Sequence, residues 1–124
     1  MSLGRVILYV RDMDACIRFY REFFGYTPHQ LEGDRLIELT PPDKTSGASI
    51  LLHPAGKTRK QGQTQLKLVF DVPNVEAFLS STPAAAEHFG PLHRADGYVF
   101  SNAMDPAGNS VQISSWAFVV PSPK

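Results

Sequence analysis

The chain has 124 residues, with twelve basic and twelve acidic side chains, a formal net charge of zero, one cysteine, ten prolines and nine glycines. That balance gives no cationic face for nucleic acid or an anionic membrane, and no apolar run approaches the roughly 18 residues of a membrane helix or the layout of a signal peptide. A lone cysteine closes no internal disulfide, so the expectation is one cytoplasmic domain that buries about two thirds of its unfolded surface without staples.

In chain order, Arg5 to Val10 alternates within a β-prone run and predicts a strand. Asp12 then offers an N-cap for a helix with Met13, Cys16, Ile17, Tyr20 and Phe24 at helical spacing, stopped by Gly25. Arg18, Arg21 and Glu22 fall off that stripe, so the helix should cover one sheet face, with Cys16 buried and inert. Three short strands follow, Tyr26 to Leu31, Arg35 to Thr40 and Ala48 to His53, separated by a Glu32-Gly33-Asp34 turn and a Pro41-Pro42 loop. Residues 54–64 are basic, with Ala55 as their one apolar residue, and read as a connector; a phosphate-binding loop would need a strand–GxxxxGK[ST]–helix frame that they lack.

Leu66 to Val72 predicts a fifth strand, and Asn74 caps a short helix through Val75, Phe78 and Leu79. Pro83 stops or bends it, Ala84 to His88 adds another turn, and Phe89 to Arg94 predicts a strand. Tyr98-Val99-Phe100 and Asn109 to Ser114 flank Asp105-Pro106-Ala107-Gly108, which has Asp first, Pro second and Gly fourth, as a type I turn prefers. A hairpin is therefore expected. Its exit strand alternates polar Ser110, Gln112 and Ser114 with apolar Val111 and Ile113; a binding cleft gives that pattern, but taken alone it favours simple exposure. Trp116 to Val120 reads as a last strand segment and Pro121 to Lys124 as a frayed end.

Strand, helix and three strands thus occur twice. Val10 to Ala15 aligns with Val72 to Ala77 at an offset of 62 residues, matching a capping residue, an acidic second helical residue and an alanine. Two such units, neither able to bury its sheet alone, should face each other across a pseudo-twofold axis.

The segments ILYVRDMDACIRFYREFFGY at 7–26, LVFDVPNVEAF at 68–78 and FSNAMDPAGNSVQI at 100–113 resemble the vicinal oxygen chelate superfamily, which includes glyoxalase I, the extradiol dioxygenases and the bleomycin-resistance proteins. The resemblance covers nearly the whole chain. It implies an α+β fold of two tandem βαβββ modules forming an incomplete barrel around a cleft. Residues 1–124 would be a single glyoxalase/bleomycin-resistance-like domain, with module one at 4–53, a linker at 54–64 and module two at 65–120. Function must be argued from the site.

In metal-dependent relatives similar to glyoxalase I, four ligands come from the start of the first strand and near the end of the fourth strand of each module. The resemblance and the repeat carry those positions to Arg5, Leu51, Lys67 and Gln112. Arginine and lysine have no free lone pair at neutral pH, leucine has none, and glutamine is a poor donor for a divalent transition metal, so no metal and no other cofactor is expected. Glu38, in Ile37-Glu38-Leu39-Thr40, resembles the family's acidic ligand motif but falls in the third strand, ahead of the ligand strand. Arg5 and Lys67 share the offset of 62 and, in a common cleft, would attract an anionic ligand group. The competing reading pairs each with an acidic neighbour, Glu38 or Asp71, or extends it into water.

His53 shares a strand face with Leu51, yet a base needs an orienting partner that the sequence does not identify, and a packing or surface role competes. Tyr9, Tyr98 and Trp116 are candidate aromatic walls, with core packing as the alternative, and Ser114 joins Gln112 on the polar strand face. His29, His88 and His93 show no ligand spacing, and no Ser-His-Asp or Cys-His arrangement can be argued. The expected function is binding of a small molecule without metal, in the manner of the bleomycin-resistance branch, so as to sequester an antibiotic or metabolite. The alternatives are a glyoxalase-like lyase, isomerase or dioxygenase with an altered site using His53, Glu38 or an unconventional metal, and a structural interaction module. A homodimer is expected, since relatives commonly build or swap their clefts across two chains, with neither nucleic acid nor membrane as partner.

Overall fold

Alternation along Arg5–Val10 (β1) sorts its side chains cleanly, with Leu8 and Val10 buried and Arg5, Ile7 and Tyr9 exposed. The computed structural model describes residues 1–30, 33, 35–43, 46–56 and 64–119. After β1 come α1 (Met13–Phe24), β2 (Thr27–Gln30), β3 (Ile37–Thr40) and β4 (Ser49–Pro54), and the sheet order is β1-β4-β3-β2. β1 runs parallel to β4, while β3 is antiparallel to β4 and β2. Leu8, Val10, Leu39, Ile50 and Leu52 from the sheet and Cys16, Phe19 and Tyr20 from α1 are buried and form the core of this unit. Asp12 Oδ1 accepts from Ala15 N at 3.0 Å, and Gly25 closes α1 at φ 72°, a conformation that glycine adopts without strain.

The second unit repeats the plan with β5 (Lys67–Asp71), α2 (Val75–Ser81), α3 (Pro83–His88), β6 (His93–Arg94), β7 (Val99–Met104) and β8 (Ser110–Ser114), in the order β5-β8-β7-β6. β5 is parallel to β8, and β7 is antiparallel to β8 and β6. Asn74 Oδ1 accepts from Ala77 N at 2.9 Å, as Asp12 does in the first unit, and Pro83 opens α3 at its first turn. Each sheet is open rather than closed.

Residues 105–108 belong by their contacts to the first unit, although they join two strands of the second: the units are Met1–Thr64 with Asp105–Gly108, and Gln65–Met104 with Asn109–Lys124. The turn is the one the sequence predicts. Gly108 N donates to the Asp105 carbonyl and Ala107 N to Asp105 Oδ1, both at 2.9 Å. Asp105 is 4% exposed, and its other oxygen accepts from the Tyr20 hydroxyl at 2.7 Å, so the buried carboxylate is satisfied. Burial, then the charges of Asp105 and Asp12, push the Cys16 thiol up to about 12, which makes it an inert core residue as expected.

Three expectations fail. The strand expected over Phe89 to Arg94 shrinks to His93–Arg94: Gly90 N still reaches the Asn102 carbonyl at 2.9 Å, but Pro91 has no N–H to continue a ladder. The strand segment expected from Trp116 is replaced over Trp116–Phe118 by a 3₁₀ turn, and Val120 lies outside the described residues. There Ser114 Oγ takes Trp116 N at 3.1 Å and Ser115 Oγ takes Val99 N at 3.0 Å, diverting the donors that a longer ladder would use. The polar face of β8 is not simply exposed either, since Ser114 is buried and Ser110 and Gln112 are half-buried. The connector over 57–63, Leu31, Glu32 and Asp34 of the first turn region, and the end from Val120 lie outside the described residues. Among the described residues, no helix is long and apolar enough to cross a membrane.

Candidate ligand-binding faces

Pairing of β1 with β4 sets Arg5 beside Ser49, Ile7 beside Leu51 and Tyr9 beside His53, all on the sheet face opposite the buried one. Glu38 is in register with Leu51, and His29 with Glu38, so the row continues across the sheet. Ile7 is 48% exposed and Tyr9 41%, which makes the middle of this face an accessible apolar strip. At one end Arg5 Nε lies 3.8 Å from Glu38 Oε2, a loose ion pair with the arginine side chain 61% exposed. At the other end the half-buried His53 ring lies 4.8 Å from the Tyr9 ring, and its Nδ1 is 2.8 Å from the Pro54 carbonyl oxygen. His29 is held by Thr40 Oγ1 at 3.1 Å.

The second unit presents Lys67, Val69 and Asp71 beside Ser110, Gln112 and Ser114, with Asn102 in register with Gln112. Lys67 Nζ donates to Asn102 Oδ1 at 3.1 Å, and Gln112 Nε2 donates to the same oxygen at 2.9 Å. Asn102 therefore stands to Gln112 as Glu38 stands to Leu51, and each cation meets a residue on the third strand of its own sheet. For Arg5 that residue is the acidic neighbour named from the sequence; for Lys67 it is Asn102 and not Asp71. Asn102 escaped the sequence reading. Its signal was available in the alternation of Phe100, Asn102 and Met104 and in the repeat, which carries Glu38 onto this strand. Val69 is 49% exposed, and His93 stacks on Phe100 with ring centroids 5.0 Å apart.

Two candidates sit elsewhere. Trp116 lies on the 3₁₀ turn, 66% exposed. Tyr98 lines a hollow of about 400 Å³ in the second unit with Pro73, Glu76 and Arg94, the last two joined at 3.1 Å.

Arg5, Leu51, Lys67 and Gln112, the positions expected from the resemblance to carry metal ligands, have chemistry that does not fit a metal here. Arg5 and Lys67 are donors only, Leu51 has no polar atom, and the Gln112 amide is turned to Asn102. Among the described residues, no group of three or more His, Cys, Asp or Glu side chains could hold a metal ion.

The family model described as Glyoxalase/Bleomycin resistance protein/Dioxygenase superfamily matches residues 2–113, and the chain belongs to that superfamily. No curated protein matches it. Among solved structures it is similar to UcmS2, at 18% identity and a TM-score of 0.74 over 93% of this chain and 98% of that one. It is also similar to TnmS3, an antibiotic binding protein from Streptomyces sp. CB03234, at 17% identity and a TM-score of 0.69 over 91% and 93% of the two chains. The oxidase ChaP-H2 aligns at 18% identity and a TM-score of 0.71 over 93% of each chain. These likenesses establish the shared fold.

Proposed function

We propose that this protein binds a small organic molecule on the open sheet faces without a transition metal, and holds it rather than transforming it. The observation that supports this reading is made on each sheet separately: Arg5 and Leu51 flank the exposed apolar Ile7 on the first, and Lys67 and Gln112 flank the exposed apolar Val69 on the second. Such a surface offers hydrogen-bond donors and apolar area but no Lewis acid. Similarity in fold to a protein described as antibiotic binding supports the ligand class. Isothermal titration of the purified chain with bleomycin and with a planar anthracycline tests it. Saturable binding, with the compound recovered unchanged, is the expected result; absence of binding to either would remove the antibiotic reading.

The enzymatic alternative draws on the likeness to an oxidase and on His53 and Glu38. It requires a product, so a chemically altered ligand, or a stoichiometric metal lost on Gln112→Ala, would favour it. The proposal includes a cytoplasmic homodimer. β1 and β2 end one sheet and β5 and β6 the other, and such edges invite pairing. Light scattering of a monomer at high micromolar concentration would contradict the dimer.

A further inference from the structure

His53 and Arg5 sit at opposite ends of one sheet face, and their hydrogen bonds define what that face can read. The Pro54 carbonyl can only accept, so His53 Nδ1 carries the proton of the neutral ring and Nε2 carries the lone pair. This is the orienting partner that the sequence did not reveal. Among the described residues, no protein group engages Nε2, and the Tyr9 ring 4.8 Å away steadies the imidazole from the side. A fixed acceptor on an open face is suited to a ligand hydroxyl. Four strand residues separate His53 from the level of Arg5, which at about 3.3 Å each is roughly 13 Å. Ile7 and Leu51 lie between them as an apolar floor. At the far end Arg5 has Glu38 within 3.8 Å, so the pair carries no net charge there while the terminal guanidinium nitrogens still offer donors.

We infer that the open face of the first sheet selects an elongated, flat, neutral ligand with a phenolic or enolic hydroxyl at one end, received by His53 Nε2, and a carbonyl or amide oxygen at the other, received by Arg5. This rests on the reading of that face as ligand-binding and adds the ligand's class. Glu38 sets the preference for a neutral oxygen, because a carboxylate approaching Arg5 meets a second carboxylate beside it. The second sheet differs: Lys67 is bound to the neutral Asn102, and its charge is not offset at that position.

The test is calorimetric titration of the full chain with a biphenyl bearing a para hydroxyl on one ring and a para carboxamide on the other. Replacing the hydroxyl by methoxy should weaken binding to the wild-type protein about tenfold, and His53→Phe, which keeps a ring against Tyr9, should erase that difference. Replacing the carboxamide by a carboxylate should weaken binding, and Glu38→Gln should reverse that order. Nitrogen NMR of the isotope-labelled imidazole should show the proton on Nδ1 without any ligand, a readout independent of whether His53→Phe folds. Equal affinity for hydroxyl and methoxy probes, tighter binding of the carboxylate to wild type, or the proton on Nε2 would each overturn the inference. If no biphenyl binds while bleomycin or the anthracycline does, this inference falls and the broader binding function stands. If none of these compounds binds, both fall.

Discussion

Burial of Cys16 and Tyr20 beside Asp105 ties the protein's stability to alkaline pH. The Cys16 thiol moves from 9.0 to about 12 on folding, and the Tyr20 hydroxyl, desolvated and bonded to Asp105, is raised as well. Both folded groups keep protons that the unfolded chain releases. Stability is therefore level below about pH 9 and falls as pH rises toward 12, at about 1.4 kcal/mol per pH unit for each group once its unfolded form ionises. Urea unfolding across that window should show this slope, and Cys16→Ala should flatten it by one proton's worth; an unchanged slope would exclude the thiol. The cations give the opposite expectation. Arg5 and Lys67 are exposed, and exposed pairs supply about 0–1 kcal/mol, so Arg5→Met and Lys67→Met should leave the folding free energy within about 1 kcal/mol of wild type. A larger loss by chemical denaturation would mean that these side chains serve the sheets, not a ligand.

Caps and turn chemistry decide where the elements begin and end. Asp12 and Asn74 occupy equivalent N-cap positions, each accepting from the backbone N–H three residues on. Replacing either by alanine should cost about 0.5–2 kcal/mol, read as a shift in denaturation midpoint. These caps, the Gly25 stop and the Asp105 turn were legible in the sequence because each depends on one residue's local chemistry. The helix stripe and the repeat were legible for a related reason, since periodicity survives whatever packs against it. Pro91 and the Ser114–Ser115 pair show where legibility ended. Aromatic and branched residues at 116–120 favour a strand, but serine hydroxyls take the backbone donors, and such competition appears only in three dimensions. At the site, strand parity put His53 with Leu51 correctly. The acceptor role of Asn102 and the carbonyl that orients His53 depended on register and rotamer, which a single sequence does not display.

At the scale of the molecule, the chain's two units are not two consecutive stretches. Residues 105–108 lie in sequence between β7 and β8, yet they complete the first unit, where Ala107 is buried and Asp105 receives the Tyr20 hydroxyl. A fragment ending at residue 64 would leave that hydroxyl in a buried position without its acceptor, at a cost of about 1–3 kcal/mol. Units of such size keep only a few kcal/mol in hand. The fragment 1–64 is therefore expected to lack a cooperative melt and the amide dispersion of a folded core. In the intact chain the segment 105–108 of the first unit is continuous in sequence with β7 and β8 of the second, so one unfolding event is expected. Trp116 fluorescence reports the second unit and tyrosine circular dichroism is weighted toward the first, and both should change in one coincident transition. Asp105→Ala, which strands both the Tyr20 hydroxyl and the Ala107 N–H, should move the two probes together to a lower midpoint by about 2–3 kcal/mol. Separate transitions for the two signals, or a folded 1–64 fragment, would show that each unit stands by itself and that the turn is an ordinary surface hairpin.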